Sequence, residues 1–285
     1  MTGRVLIIAG SDSGGGAGIQ ADIKTVTLLG GYAATAITAL TAQNTRGVSG
    51  VFPIGPDFLR RQIEAVLTDI GADCIKTGML VDASVVEAVA DALEALAPKT
   101  KLVVDPVISS TSGSPLLDEP GVERLKRRLI SRADVVTPNL IEAAFLTGLT
   151  VENLDGMKRA ADAILNLGAK AVVVKGGHLK GNDLVDLVAT PKESFVLKTK
   201  RIKTRSTHGT GCVYASAIAT GLAQGRKLKP AVVAAHEYVQ AAIKNAPGLG
   251  KGNGPIGIGL PARSKRKIPA PPASRMRRKA RSTRR

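Results

Sequence analysis

The feature that most constrains this chain is an alternation of short, almost wholly apolar runs with segments of helical periodicity. "VLIIAG", "CIKTGML", "LVVDPV", "DVVTPN" and "AVVVKGG" are strand-like, and most are followed by 10 to 15 residues of helical pattern, such as residues 83–97 and 154–167. Short strands apolar on both faces belong in a parallel sheet covered by helices on both sides. The expected fold is therefore α/β, a three-layer α/β/α sandwich with a mostly parallel central sheet. Residues 184–189 and 194–202, joined by "TPKE", read as an antiparallel pair extending that sheet. A chain of 285 residues with 44% hydrophobic content can bury a full core as one large domain.

In such sheets ligands bind beyond the carboxyl ends of the strands. Those ends carry the unusual residues: residues 10–18 after the first strand, Asp105 before Pro106, Asn139 with Glu142, and Lys175 before two glycines. A further signal is "RSTHGTGCVYASAIATG", residues 205–221. Its glycines precede an Ala-rich helix whose first amides have no partner within the helix, which is how an anion site is built. Two nucleotide motifs fail. In "GSDSGGGAGIQAD", Gly14 and Gly16 are followed by Ile19 where the dinucleotide fingerprint needs glycine, and no G-x-x-x-x-G-K-[ST] occurs. Adjacent glycines still let a backbone approach a planar or anionic ligand closely.

Net charge is +17, but location matters more than the total. Residues 263–285 hold 11 Lys/Arg and no acid, leaving 29 basic against 23 acidic residues before them, a net of +6. The expected organisation is a globular domain over residues 1–262 and a basic, proline-containing disordered tail over 263–285. Such a tail is a solvated appendage that can make weak, non-specific contacts with nucleic acid. Cys74 and Cys212 have no C-x-x-C spacing, which suggests neither zinc nor a disulfide framework and fits a reducing cytoplasm. No run is long enough for a membrane span.

Taken in order, "DPV", "TPNLIEA", "VVVKGGH" and "STHGTGC" resemble the ribokinase-like superfamily. "IAGSDSGGGAGIQADIKT", "TALTAQNT", "IKTGML" and "HGTGC" resemble, within it, the hydroxymethylpyrimidine/phosphomethylpyrimidine kinases of thiamine biosynthesis. The resemblance covers about residues 4–258 and leaves out the basic tail. It implies ATP-dependent phosphorylation of 4-amino-5-hydroxymethyl-2-methylpyrimidine and then of its monophosphate.

The same resemblance distributes roles. The amides of Gly209, Thr210, Gly211 and Cys212 would neutralise charge on the transferred phosphoryl group, which phosphoryl transfer needs more than covalent help. Cys212 stands where sugar kinases of the superfamily carry aspartate, making it the candidate base, with a thiol pKa expected to be lowered near a helix N-terminus; the other reading is a small core residue whose neighbouring amides do the work. Lys175 would meet the nucleotide phosphates, with Asn139 and Thr210 beside it. Asp105 and Glu142 would hold Mg²⁺ mainly through water; read without the resemblance, Asp105 is a turn-former and Glu142 a helix-start charge.

For the pyrimidine, Gln43 offers a donor and an acceptor to a ring nitrogen beside an exocyclic amine. Gly10 and Asp22 would line the same pocket, with Met79 and Val107 as apolar walls. His208, beside the anion loop, is read as structural. Residues 109–117, "SSTSGSPLL", resemble the flap of these kinases, with serines and Thr111 where the family commonly has an apolar residue and a lysine. A homodimer is the expected assembly. The alternatives are a pyridoxal kinase of the same superfamily and a non-catalytic pyrimidine-sensing protein with a nucleic-acid-binding tail.

Overall fold

Strand interiors here are built almost entirely of Val, Ile, Leu and Ala, residues that fit a pleated surface buried on both sides. The computed structural model describes residues 2–109, 113, 115–177, 179 and 181–259. The basic segment 263–285, and Ser110, Thr111, Ser112 and Ser114 of the expected flap, lie outside the described residues.

The chain begins with β1 (Arg4–Asp12), α1 (Gly18–Leu28), β2 (Tyr32–Asn44), β3 (Gly47–Pro53), α2 (Pro56–Asp69), β4 (Cys74–Thr77) and α3 (Ala83–Leu96). It continues through β5 (Lys101–Val104), α4 (Glu119–Arg124), β6 (Val135–Val136), α5 (Leu140–Thr147), α6 (Leu154–Asn166) and β7 (Val172–Val174). It closes with β8 (Asp183–Ala189), β9 (Ser194–Lys200), α7 (Thr210–Ala223) and α8 (Leu228–Lys244). The strands form one sheet in the order β3-β2-β1-β4-β5-β6-β7-β8-β9. Pairing is parallel from β2 through β7, while β3 and the β8-β9 pair are antiparallel additions at the two edges.

Alternation along each strand assigns its side chains to two cores. Leu6, Ile8, Ile75, Leu102 and Val104 pack with Leu59 and Ile63 of α2, Val86 and Val89 of α3 and Ile164 of α6. Val5, Ile7, Cys74 and Val103 face the other way, onto Ile19 of α1, Val213 and Ile218 of α7 and Val232 of α8. Burying each such aliphatic side chain contributes about 1.5–3 kcal/mol, so a one-residue slip of a central strand would exchange both faces at once.

The β2-β3 hairpin is the part of the sheet that the apolar-run pattern does not reveal. In "YAATAITALTAQN" alanine and threonine break up the apolar signal, and the side chains become progressively exposed toward Asn44. Its presence matters for the site. From β1 the chain moves to one side, through α1 to β2, and later returns to lay β4 against the other side of β1. That reversal opens a crevice beyond the carboxyl ends of β1 and β4, the usual ligand position in open α/β sheets.

Candidate active site

One cavity of about 550 Å³ occupies this crevice and extends along the sheet. Its walls include Gly10, Gln43, Met79, Asp105, Val107, Asn139, Glu142, Lys175, Gly209, Thr210, Gly211 and Cys212. The strand order arranges them: Gln43 on β2, Gly10 on β1, Met79 after β4, Asp105 and Val107 after β5, Asn139 after β6 and Lys175 after β7. The residues expected to meet a pyrimidine thus occupy the β2-to-β5 half, and those expected to meet a nucleotide occupy the β5-to-β7 half. Helix α7 packs across β1, β4 and β5, which sets its N-terminus between the two halves.

The entrance of α7 depends on backbone that only glycine provides. Gly209 is the N-cap residue at φ 86° and contributes no side-chain cap, and a Cβ there would run into the carbonyl oxygen of Gly16. Helices α3, α4, α5 and α6 are capped by side chains, such as Asp82 at α3, which accepts from the amides of Ser84 and Val85, whereas α1, α2 and α8 are not. At α7 no side chain covers the first amides: that of Thr210 donates to the Thr207 carbonyl at 3.3 Å, while those of Gly211 and Cys212 have no partner among the described residues and stay open to an anion. A Cβ on Gly211 would lie 3.1 Å from Lys175 Nζ and 3.7 Å from Asp105 Oδ2. Glycine here lets the lysine and the loop share one point.

Lys175 Nζ donates to Asp105 Oδ1 at 2.9 Å and lies 3.9 Å from Glu142 Oε2. Burial works against its charge, but the two carboxylates outweigh this and raise its pKa above the ordinary lysine value. Asp105 Oδ1 also accepts from the Thr137 hydroxyl at 3.0 Å. Asn139 and Glu142 form a capping box at the start of α5: the Asn139 side chain accepts from the Glu142 amide, and Glu142 Oε2 accepts from the Asn139 amide at 2.7 Å. Burial pushes the Glu142 carboxyl up to about 7, with Lys175 opposing and Asp105 reinforcing the shift. Among the described residues, no group of three or more His, Cys, Asp or Glu side chains is placed to hold a metal ion. Asp105 and Glu142, two carboxylates beside the anion loop, would suit a hydrated magnesium ion held through water.

Cys212 departs from expectation in its ionisation. Burial pushes its thiol up to about 12, and the carboxylates of Asp22 and Asp105 add to the rise, while the Lys76 ammonium opposes it. Desolvation therefore outweighs the helix N-terminus and the Gly18 amide in setting the direction of the shift, at a side chain that is half-buried in the cavity wall. Cys74 is fully buried and its pKa is likewise raised, by burial first.

Asp22 also requires correction, because it does not line the cavity. It is fully buried, accepts from Lys76 Nζ at 2.8 Å and from the Ser216 hydroxyl at 2.6 Å, and reaches the cavity only through Lys76. Lys76 is the residue that sequence reasoning missed, although a lysine inside the apolar run "CIKTGML" was a legible anomaly. Asp12 was missed as well. Its carboxylate accepts from the amides of Gly14, Gly16 and Ala17 at 2.8, 3.1 and 2.8 Å and lies 2.8 Å from His208 Nε2. That cluster clamps the first glycine segment against the anion loop, and it gives His208 a structural task 3.4 Å from the Gln43 amide nitrogen.

The sequence model of the phosphomethylpyrimidine kinase family matches residues 12–257. Over 254 residues the chain is 49% identical to the thiamine biosynthesis bifunctional protein ThiED of Geobacter sulfurreducens, covering 89% of this chain and 52% of that protein. It is 48% identical to the hydroxymethylpyrimidine/phosphomethylpyrimidine kinase of Streptomyces coelicolor, covering 90% of this chain and 94% of that one. Among solved structures, the pyridoxal kinase of Staphylococcus aureus in complex with AMP-PCP and pyridoxal superposes with a TM-score of 0.82 at 36% identity, covering 91% of this chain and 94% of that chain.

Proposed function

The chain belongs to the phosphomethylpyrimidine kinase family, and on that premise we propose that it transfers a phosphoryl group from ATP to 4-amino-5-hydroxymethyl-2-methylpyrimidine and then to the monophosphate. It is a phosphotransferase with the ribokinase-like fold. The observation that carries the assignment of sites is the arrangement of the cavity. An uncapped helix entrance lies between a half lined by Gln43, Met79 and Val107 and a half lined by Lys175 and Asn139. Two reactants placed in those halves would meet at the loop, and holding them there removes much of the entropic part of the barrier.

In this reading Gln43 fixes the ring and Gly10 lets it approach the β1 backbone. The amides of Gly209, Thr210, Gly211 and Cys212 take the charge of the transferred group. Lys175, flanked by Asn139 and Thr210, holds the nucleotide phosphates. Mg²⁺ carried by those phosphates would be held through water by Asp105 and Glu142, and it supplies charge neutralisation when bound. Cys212 is the group read as taking the substrate hydroxyl proton. To accept it, Cys212 would first give its own proton to water in the cavity it lines, leaving a thiolate for which the Lys76 ammonium is the counter-charge.

Calorimetric titration tests the division of the cavity. The pyrimidine and a non-hydrolysable ATP analogue should bind together, and Gln43→Ala should weaken the pyrimidine about tenfold or more while leaving the analogue unchanged. Binding of pyridoxal without the pyrimidine would overturn the reading. That second reading has the S. aureus superposition in its favour, since pyridoxal also carries a ring-borne hydroxymethyl group. The higher identity to the pyrimidine kinase favours the first.

The setting we propose is the cytoplasm; among the described residues no helix is long and apolar enough to cross a membrane. We also propose a homodimer, for which the exposed cross-strand pair Leu40 and Phe52 of the β2-β3 edge offers an apolar surface. For residues 263–285 we propose weak, salt-sensitive contact with phosphate polymers. Removing them should abolish RNA retention at low salt without changing kinase activity.

A further inference from the structure

Asp186 is a carboxylate on β8 that sits 4% exposed in the sheet, where an unpaired charge would be costly. It is met from two separate parts of the chain. Its Oδ1 accepts from the Gly176 amide at 2.9 Å, and its Oδ2 lies 2.9 Å from Nδ1 of His236 on α8. Tyr214 on α7 lines the same end of the cavity; its hydroxyl has no hydrogen-bond partner among the described residues, and burial first, then this carboxylate, raise its pKa. His236 is 5% exposed, and its Nε2 has no hydrogen-bond partner among the described residues. Among the described residues its side chain has one polar tie, to Asp186, and all three side chains border the cavity at its β8 end.

The Gly176 amide is what gives this cluster a bearing on the reaction. Gly176 follows Lys175, and a Cβ there would run into the Val185 carbonyl oxygen, so the turn is pressed directly against β8. Lys175 is held from the other side by its own amide, which donates to the Pro138 carbonyl at 2.8 Å. The lysine backbone is thus fixed at two points: Pro138 before it and Asp186 after it. From that position its ammonium reaches Asp105 and the Gly211 end of the anion loop.

We propose that Asp186 is a positioning residue for phosphoryl transfer, setting Lys175 against the N-terminus of α7, and that His236 keeps its carboxylate aimed at Gly176. The proposal rests on the kinase reading above. Neither side chain touches the reacting atoms in this account; the pair acts through the Lys175-Gly176 turn.

The test compares His236→Leu, His236→Asn and His236→Gln, with Asp186→Leu alongside, in steady-state assays with ATP and the pyrimidine. Asparagine places an amide near the position of Nδ1, whereas glutamine places it near Nε2. We expect the two leucine variants to lose about ten- to a hundredfold in kcat, as small misplacements do, with a raised KM for ATP and an unchanged KM for the pyrimidine. His236→Asn should restore most of the loss and His236→Gln should not. A leucine variant that turns over like the wild type, or one that raises both KM values equally, would overturn the proposal. Should the leucine variants melt below the assay temperature, the Asn and Gln variants decide it, and equal rates for the two would overturn it. ADP affinity, measured by calorimetry, separates this idea from the kinase reading. Wild-type protein that transfers no phosphate contradicts that reading, whereas unchanged ADP affinity in His236→Gln contradicts the role given to the pair.

Discussion

Lys76 Nζ lies 2.8 Å from Asp22 Oδ2, and both side chains are fully buried. Burial opposes the lysine charge, but Asp22, the Cys212 site and Asp105 outweigh it and raise its pKa. For Asp22 burial dominates and raises the carboxyl pKa, although Lys76 and Ser216 oppose the rise. Each charge exists in the core because the other does.

Lys76→Met should therefore leave an uncompensated carboxylate and cost about 3–5 kcal/mol, a fall in Tm of roughly 10 °C for a chain of this size. The double variant Lys76→Met/Asp22→Leu should recover most of the loss. Differential scanning calorimetry checks both, and equal destabilisation of the single and double variants would contradict the pairing.

The Cys212 thiol, pushed up to about 12 by burial, should be nearly inert to iodoacetamide at neutral pH. A raised pKa means that the thiolate fraction keeps growing with pH. The alkylation rate should climb about tenfold per pH unit from 7 to 10, with no plateau, as read by mass spectrometry of the Cys212 peptide. A plateau near pH 8 would show an activated thiol. Cys74, at 0% exposure, should remain unmodified throughout.

Two glycines of the anion loop should fail in different ways. Gly209→Ala must adopt φ 86° and meets the Gly16 carbonyl, so strain of about 1–3 kcal/mol should lower Tm and turnover together. Gly211→Ala adds a methyl group 3.1 Å from Lys175 Nζ, an atom at the end of a flexible side chain. It should fold normally but lose about tenfold in kcat by displacing the ammonium.

Asp12 gives the fold an acid limit. Burial raises its carboxyl, but His208 and the amides of Ala17 and Gly14 outweigh burial and hold it below its ordinary 3.8. For a depressed carboxyl the stabilisation is complete above the unfolded value and is lost as pH falls through the folded one. The stability difference between wild type and Asp12→Asn, from urea denaturation, should shrink as pH falls below about 4. A difference that grows on acidification would contradict this assignment.

The sheet was legible wherever burial on both faces left a continuous apolar run, as in the β1, β4, β5 and β7 segments. The β8-β9 pair was legible from its turn residues. The β2 strand was not, because alanine and threonine carry little periodic signal when one end of a strand is exposed. Glycines and the residues at strand ends located the site, since backbone needs can be read from residue type. Ionisation could not be read the same way. Whether Cys212 is lowered by a helix or raised by burial depends on how deeply α7 packs over β1, β4 and β5, and Asp22 lost its place in the cavity wall because Lys76 stands in front of it.

The most direct measurement is a competition. Purified protein is incubated with ATP and Mg²⁺ and equal concentrations of 4-amino-5-hydroxymethyl-2-methylpyrimidine and pyridoxal, and the products are followed by mass spectrometry for the wild type and Cys212→Ala. Pyrimidine monophosphate should appear first and diphosphate after it, with little pyridoxal phosphate and a strong slowing of both pyrimidine steps in the variant. Pyridoxal phosphate as the main product, or phosphate transfer to neither acceptor, would contradict it.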